Sequence, residues 1–207
     1  MSVTAVTVRL VWLITPVLTG AGIVGLAVGF GAQTLVRDVI TGFFLILENQ
    51  VRVGDMAAIN GTGGMVESIN LRTIVLRDVE GTVHVFPNGA INTLANRTKD
   101  YSYYVITVGV AYDAEVDRAV EAMQEAANVV TKDPDLSPYI LEPLEVLGVD
   151  AFEPGQLVVK ARIKTIPLKQ WVVGRELRKQ IARVFSERGI QMPTPHMTVR
   201  LDRTKSP

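Results

Sequence analysis

Between Leu10 and Val36 the chain has no charged residue, a run of 27 positions. As a helix that run reaches roughly 40 Å, against about 30 Å of bilayer hydrocarbon, so it is long enough to span with tilt. Arg9 and Trp12 stand at its start, where interfacial anchors belong. A cleavable signal peptide would also use Arg9, an apolar stretch from Leu10 to Leu18 and the small residues Gly20–Gly22. Against it, the apolar character continues through Val28 and Phe30, past any such cleavage point. A mean hydropathy of +0.26 is high for a soluble protein, but the excess is confined to this run; beyond Gln50 polar and apolar residues alternate as in a globular chain.

The run is crowded with small residues: Gly20, Ala21, Gly22, Gly25, Ala27, Gly29, Gly31 and Ala32. Glycine inside a helix costs about 1 kcal/mol relative to alanine, a loss that close helix–helix approach offsets. Gly22, Gly25 and Gly29 are therefore candidate packing positions in a ring of such helices. Leu26 and Phe30 lie one turn apart as large apolar residues. On the axis of a ring they would form stacked apolar constrictions, which block ions by dewetting. On spacing alone, both facing lipid or another helix remains equally open. After Ala32, Leu35, Val36, Val39, Ile40, Phe43, Phe44 and Leu47 recur at three- and four-residue spacing opposite Gln33, Thr34, Arg37, Asp38 and Thr41. That is an amphipathic helix, suited to a membrane surface or a soluble domain. The change of character places a bend at Gln33 and Thr34, with Gly42 a second hinge candidate.

The soluble part reads as two domains. Strands are predicted over Val51–Asn60, Met65–Ile69, Leu71–Val79 and Thr82–Phe86, with turns at Gly61–Gly64, Glu80-Gly81 and Pro87-Asn88-Gly89. Short strands with glycine turns at this spacing predict a small Sm-like β-barrel over residues 48–97. Residues 98–207 follow another rhythm: strand Tyr103–Val110, helix Ala114–Val130, a proline-bearing loop Thr131–Pro143, strands Leu144–Val149 and Gln156–Thr165, helix Leu168–Arg188 ended by Gly189, and strand Met197–Leu201. The order βαββαβ is the ferredoxin-like arrangement, which by itself identifies no function. The fold class is thus membrane α plus α+β: one transmembrane helix with its amphipathic extension over residues 1–47, then the two domains.

Lys+Arg and Asp+Glu number 21 each, and the balance holds in both halves. A chain that neutralises many phosphates needs a basic excess, and no aromatic–basic stripe is present, so nucleic acid is not a partner. There are no cysteines, and His84 and His196 stand outside any metal-ligand spacing, so neither thiolate chemistry nor a metal or other cofactor is expected. Asp113, Glu115 and Asp117 could be read as catalytic acids, but before an amphipathic helix they are more simply N-terminal helix charges, and no enzyme is expected. Lys160, Arg162 and Lys164 on alternate strand positions form the one local basic face: a solvated strand face, or a weak anion preference inside a vestibule.

Gly25-Leu26-Ala27-Val28-Gly29-Phe30-Gly31-Ala32-Gln33 resembles the pore helix of the small-conductance mechanosensitive channel family. Val51–Asp55 and Val85-Phe86-Pro87-Asn88-Gly89 resemble its β-domain, and Gly109-Val110-Ala111-Tyr112-Asp113 resembles the start of its α/β domain. The resemblance covers roughly residues 20–200. It implies a homo-oligomer, a heptamer in the best-known members, in contact with the lipid bilayer and passing ions. Leu26 and Phe30 match its two apolar gate positions, with Phe where Leu is more usual. Thr34 matches the kink position, usually glycine, and Gly42 a second glycine linked to inactivation. The expected function is tension-driven release of ions and small solutes in hypo-osmotic shock; the alternative is a membrane-anchored ligand-binding or regulatory module without conductance. Family members carry at least two membrane helices ahead of the pore helix. Met1 stands almost at it, so the resemblance implies a piece of a longer subunit or dependence on other subunits. Arg37 and Arg52 after the span, against Arg9 before it, and the resemblance both place the soluble domains in the cytoplasm, at a bacterial or archaeal inner membrane.

Overall fold

The computed structural model describes residues 3–112 and 115–193. The chain divides into two units, Met1–Asn96 and Arg97–Pro207.

The first unit opens with one helix, α1, Val3–Leu47, unbroken through Gln33, Thr34 and Gly42. Five short strands follow: β1 Met56–Ile59, β2 Thr62–Ile69, β3 Thr73–Arg77, β4 Val83–Pro87 and β5 Leu94–Asn96. They form one antiparallel sheet in the order β4-β3-β2-β1-β5. The β1–β2 turn is tighter than the predicted Gly61–Gly64 turn. Asn60 and Gly61 both take positive φ (50° and 88°), and Ile59 pairs with Thr62, which is a two-residue hairpin with the Asn-Gly preference of a type I′ turn. Thr62, Gly63 and Gly64 then belong to β2. Gly64 lets β2 approach β3, since a Cβ there would stand 2.7 Å from the Arg77 carbonyl oxygen. The alternation predicted in β3 is present: Ile74 and Leu76 are fully buried and join Val51, Ala57, Ile59 and Val66 in a small core. The predicted first strand, Val51–Asn60, is shorter than expected because Arg52–Asp55 form a turn.

The second unit contains β6 Ser102–Ala111, α2 Val116–Lys132, β7 Ile140–Glu153, β8 Gln156–Thr165 and α3 Gln170–Glu187. The strands are antiparallel in the order β6-β8-β7, and α2 and α3 pack on the sheet through one core. This is the predicted βαββα order; the strand expected at Met197–Leu201 lies outside the described residues. Leu177, Ile181, Val184 and Phe185 of α3 are all buried, as their spacing predicts, against Ala119, Met123, Ala127 and Val130 of α2. Gly189, at φ 67°, ends α3, and the Ile190 N–H closes the turn on the Phe185 carbonyl at 2.9 Å. Strand β7 begins four residues before its predicted start, so the predicted loop Thr131–Pro143 ends early, in a 3-10 turn at Ser137–Tyr139.

Candidate functional site: the apolar helix and its seat

From Leu18 to Val36 every side chain of α1 except Ala32 is exposed in the single chain. Ile23, Leu26 and Phe30 are 64%, 63% and 74% exposed, so the predicted gate residues are no more covered than their neighbours. A Cβ built on Gly22, Gly25 or Gly29 meets nothing within 4 Å. The mean hydropathy over Leu18–Leu47 is 1.5, and the part of this helix exposed on all sides is unstable in water and requires lipid or other helices around it. Trp12, at its start, is 78% exposed, while the Arg9 side chain lies outside those described.

The amphipathic half is different, because one of its faces is built into the β-domain. Asp38, 9% exposed, accepts a hydrogen bond from the Gly89 N–H at 2.8 Å. One turn on, Gly42 faces the Leu71 carbonyl and the Asn88 amide so closely that a Cβ would fall inside both. Asn88, with no exposed surface, sits in the 3-10 turn Asn88–Ala90 after β4. Its Nδ2 donates to the carbonyls of Asn70 at 2.9 Å and Leu71 at 2.8 Å, and its own N–H donates to the Arg72 carbonyl at 2.8 Å. Gly89 is as constrained as Gly42: a Cβ there would stand 2.6 Å from Asp38 Oδ1. The Pro87-Asn88-Gly89 motif is therefore more than a strand end. Asn88 braces the β2–β3 turn and Gly89 receives the helix; Leu45, further along the helix, is also buried. The sequence reading assigned Asp38 to the polar helix face and missed this role. The only signal was a carboxylate four residues before a glycine on the polar side of the helix.

The basic face of β8 is not free. Lys160 Nζ pairs with Asp150 at 2.5 Å, Arg162 Nε with Glu145 at 2.6 Å and Lys164 Nζ with Glu142 at 2.6 Å. Arg162 also lies over the Tyr103 ring and Lys164 over the Tyr101 ring. The Glu142 hydrogen bond holds the Lys164 ammonium above its ordinary pKa, and the Glu145 bond does the same for Arg162. Each carboxylate is more exposed than its cation. An anion preference from this strand is thereby cancelled by residues of β7 that spacing along β8 alone does not reveal. Of the three acids weighed as catalytic, Glu115 stands at the N-cap position of α2 without a side-chain cap bond and Asp117 lies in its first turn, whereas Asp113 lies outside the described residues. No group of His, Asp and Glu that could hold a metal occurs among the described residues.

Comparison with known proteins agrees over most of the chain. Residues 34–99 match the family description "Mechanosensitive ion channel, beta-domain", and residues 104–192 match "Mechanosensitive ion channel MscS, C-terminal". A small-conductance mechanosensitive channel of Caldanaerobacter subterraneus is 39% identical over 192 residues, 93% of this chain and 67% of that protein. The moderate conductance mechanosensitive channel YbiO of Escherichia coli is 32% identical over 180 residues, 87% of this chain but 24% of that longer protein. In fold, the crystal structure of Helicobacter pylori MscS in its closed state superposes with a TM-score of 0.74 at 21% identity, covering 92% of this chain and 74% of that one. Arabidopsis thaliana MSL1 gives 0.63 at 16%, covering 88% and 67%. The fold is thus that of a membrane channel subunit. The chain belongs to the MscS family of mechanosensitive ion channels.

Proposed function

We propose that this chain lines the pore of a tension-gated channel that releases ions and small solutes during hypo-osmotic shock. In this reading α1 crosses a bacterial or archaeal inner membrane as one of a ring of identical helices, seven by the resemblance, with both soluble units in the cytoplasm. Gly22, Gly25 and Gly29 face neighbouring copies, and Leu26 and Phe30 project into the axis as the apolar gate. Gln33 and Thr34 are exposed and serve as the bend, whereas Gly42 is packed into the β-domain. The observation that carries the reading is the contrast within one helix: exposed on every side where it is membrane-long and glycine-rich, seated on a folded domain where it is amphipathic. The first half needs copies of itself or lipid; the second fixes how it leaves the membrane.

The alternative, an anchored ligand-binding module, has one observation in its favour. An open hollow of about 390 Å³ lies beside β6 and α3, lined in part by Thr107, Gln156 and Arg178. Its charged group, Arg178, already lies over the Tyr104 ring at 5.3 Å. Reconstitution of the native gene product in liposome patches separates the two. The channel reading expects stepwise currents that appear with suction; silence up to the lytic tension contradicts it.

A further inference from the structure

The seat at Asp38 and Gly42 is one of two places where α1 is tied to the β-domain. The second lies where the helix ends. Asn49, at φ 52°, takes the left-handed conformation of a residue just past a helix end, and its N–H reaches back to the Ile46 carbonyl at 3.2 Å. Its side-chain oxygen accepts from Arg52 Nε at 2.7 Å. Val51 is then buried in the β-domain core. Asp55 Oδ2 accepts from the Arg52 N–H at 2.9 Å and from Asn96 Nδ2 at 2.7 Å. The same Asn96 amide reaches the Gln50 carbonyl at 3.2 Å. Asn96 ends β5 and is paired through its backbone with Ala57 of β1. One side-chain amide therefore holds both sides of the helix exit, Gln50 and Asp55, against the sheet, across more than 40 residues of sequence.

We infer that Asp55 and Asn96 are positioning residues that form a second clamp on α1, so that Asp38–Gln50 and strands β1–β5 move as one rigid body. A polar turn that merely satisfied its own groups would need no partner from β5. With both clamps closed, Gly42 lies between fixed points and inside a contact without room for a Cβ, so it does not serve as a hinge; bending of α1 falls before Asp38, on the exposed Gln33–Thr34 side. The consequence for gating rests on the channel reading, but the clamp itself does not.

The chain lacks cysteine, so two introduced cysteines are its only labelling sites. Spin labels at Leu47→Cys and Thr93→Cys, both exposed positions, report the distance between helix exit and sheet in spin-diluted, membrane-reconstituted protein. With the native clamp the double electron–electron resonance distance is single and narrow. Asn96→Asp places two carboxylates face to face and removes the donor, and the single narrow distance is lost. The exchange Asp55→Asn with Asn96→Asp restores the donor–acceptor pair between positions 55 and 96, though not the bond to the Gln50 carbonyl, and brings the narrow distance back, which separates loss of the clamp from failure to fold. An unchanged distance in Asn96→Asp, or no recovery in the exchanged pair, overturns the clamp. Either result is read without any current, so the channel reading stands or falls separately.

Discussion

Gly42→Ala tests whether the seat of α1 is a contact without room or a flexible joint. The added Cβ meets the Leu71 carbonyl, whose carbon would stand 2.7 Å away, and the Asn88 side-chain nitrogen. Neither neighbour moves cheaply: Leu71 is backbone, and the Asn88 amide is fixed by two hydrogen bonds of 2.9 and 2.8 Å. Overpacking of this kind costs about 1–3 kcal/mol. Displacing the amide loses about 1 kcal/mol for each hydrogen bond it breaks. Alanine returns about 1 kcal/mol as the better helix former. With one of the two hydrogen bonds broken, the balance is a local loss of about 2 kcal/mol, or about 30-fold in an opening equilibrium. Amide hydrogen exchange in detergent-solubilised protein reads this directly, because exchange of protected amides follows local opening. The Asn88 and Gly89 amides should exchange about 30-fold faster in Gly42→Ala, while those of α2 and α3 keep their rates. Unchanged protection at Asn88 and Gly89, or a gain across the whole of α1 as helix propensity alone would give, refutes the packing argument.

Gly25→Leu or Gly29→Leu should shift the solubilised protein from a ring to smaller species by light scattering; because nothing in the same chain lies within 4 Å of either Cβ, such a loss reports on a neighbouring copy, and an unchanged mass contradicts the ring. Asp78 accepts from His84 Nε2 at 2.9 Å and from the N–H groups of Thr82 and Glu80, and the His84 hydrogen bond in first place holds its carboxyl below the ordinary 3.8. A depressed acid contributes stability above its unfolded value and loses it as pH falls through the folded one. The melting difference between wild type and Asp78→Asn should therefore be present above the ordinary 3.8 and shrink as pH falls below it toward the lower folded value, and a difference that does not shrink as pH falls argues against this role. Neutralising Glu142, Glu145 and Asp150 together leaves Lys160, Arg162 and Lys164 uncompensated; if that face borders the ion path, the reversal potential in asymmetric salt should move toward the anion potential, and no movement would remove the face from the path.

What the sequence disclosed follows from how local each signal is. The uncharged run, the buried face of α3 and the alternation of Ile74 and Leu76 are periodic patterns within one element, and each is where periodicity places it. Strand β5 has three residues, too few for any alternation to register, and was not predicted. The predicted turn Gly61–Gly64 starts one residue late, because the glycines at 63 and 64 draw it into what is strand β2 while Asn60 is left in the preceding strand. Ala122 and Ala126 are fully buried on α2, yet alanine is as common on exposed helix faces and carries no side-chain signal. The ion pairs of β8 depend on its register with β7, which shifts at four places, so no spacing rule along one strand finds them. The Asp38–Gly89 bond spans 51 residues and is visible only once the helix is seated. Gate and packing residues remain assigned by resemblance and chemistry, because one chain exposes Leu26, Phe30 and Ile23 alike.

That equal exposure makes the gate the most direct test of the account. Patch recording of the native gene product and of Leu26→Ser, Phe30→Ser and the control Ile23→Ser would compare three helix positions of the same exposure in a single chain. If Leu26 and Phe30 form apolar rings on the axis, a hydroxyl in either ring wets the constriction, and both variants open at lower tension than the native protein. Phe30→Ser should show the larger effect, since it removes the aromatic ring as well as adding polarity, and Ile23→Ser should open at the native threshold. Equal thresholds in all three variants would contradict the account and take Leu26 and Phe30 out of the gate.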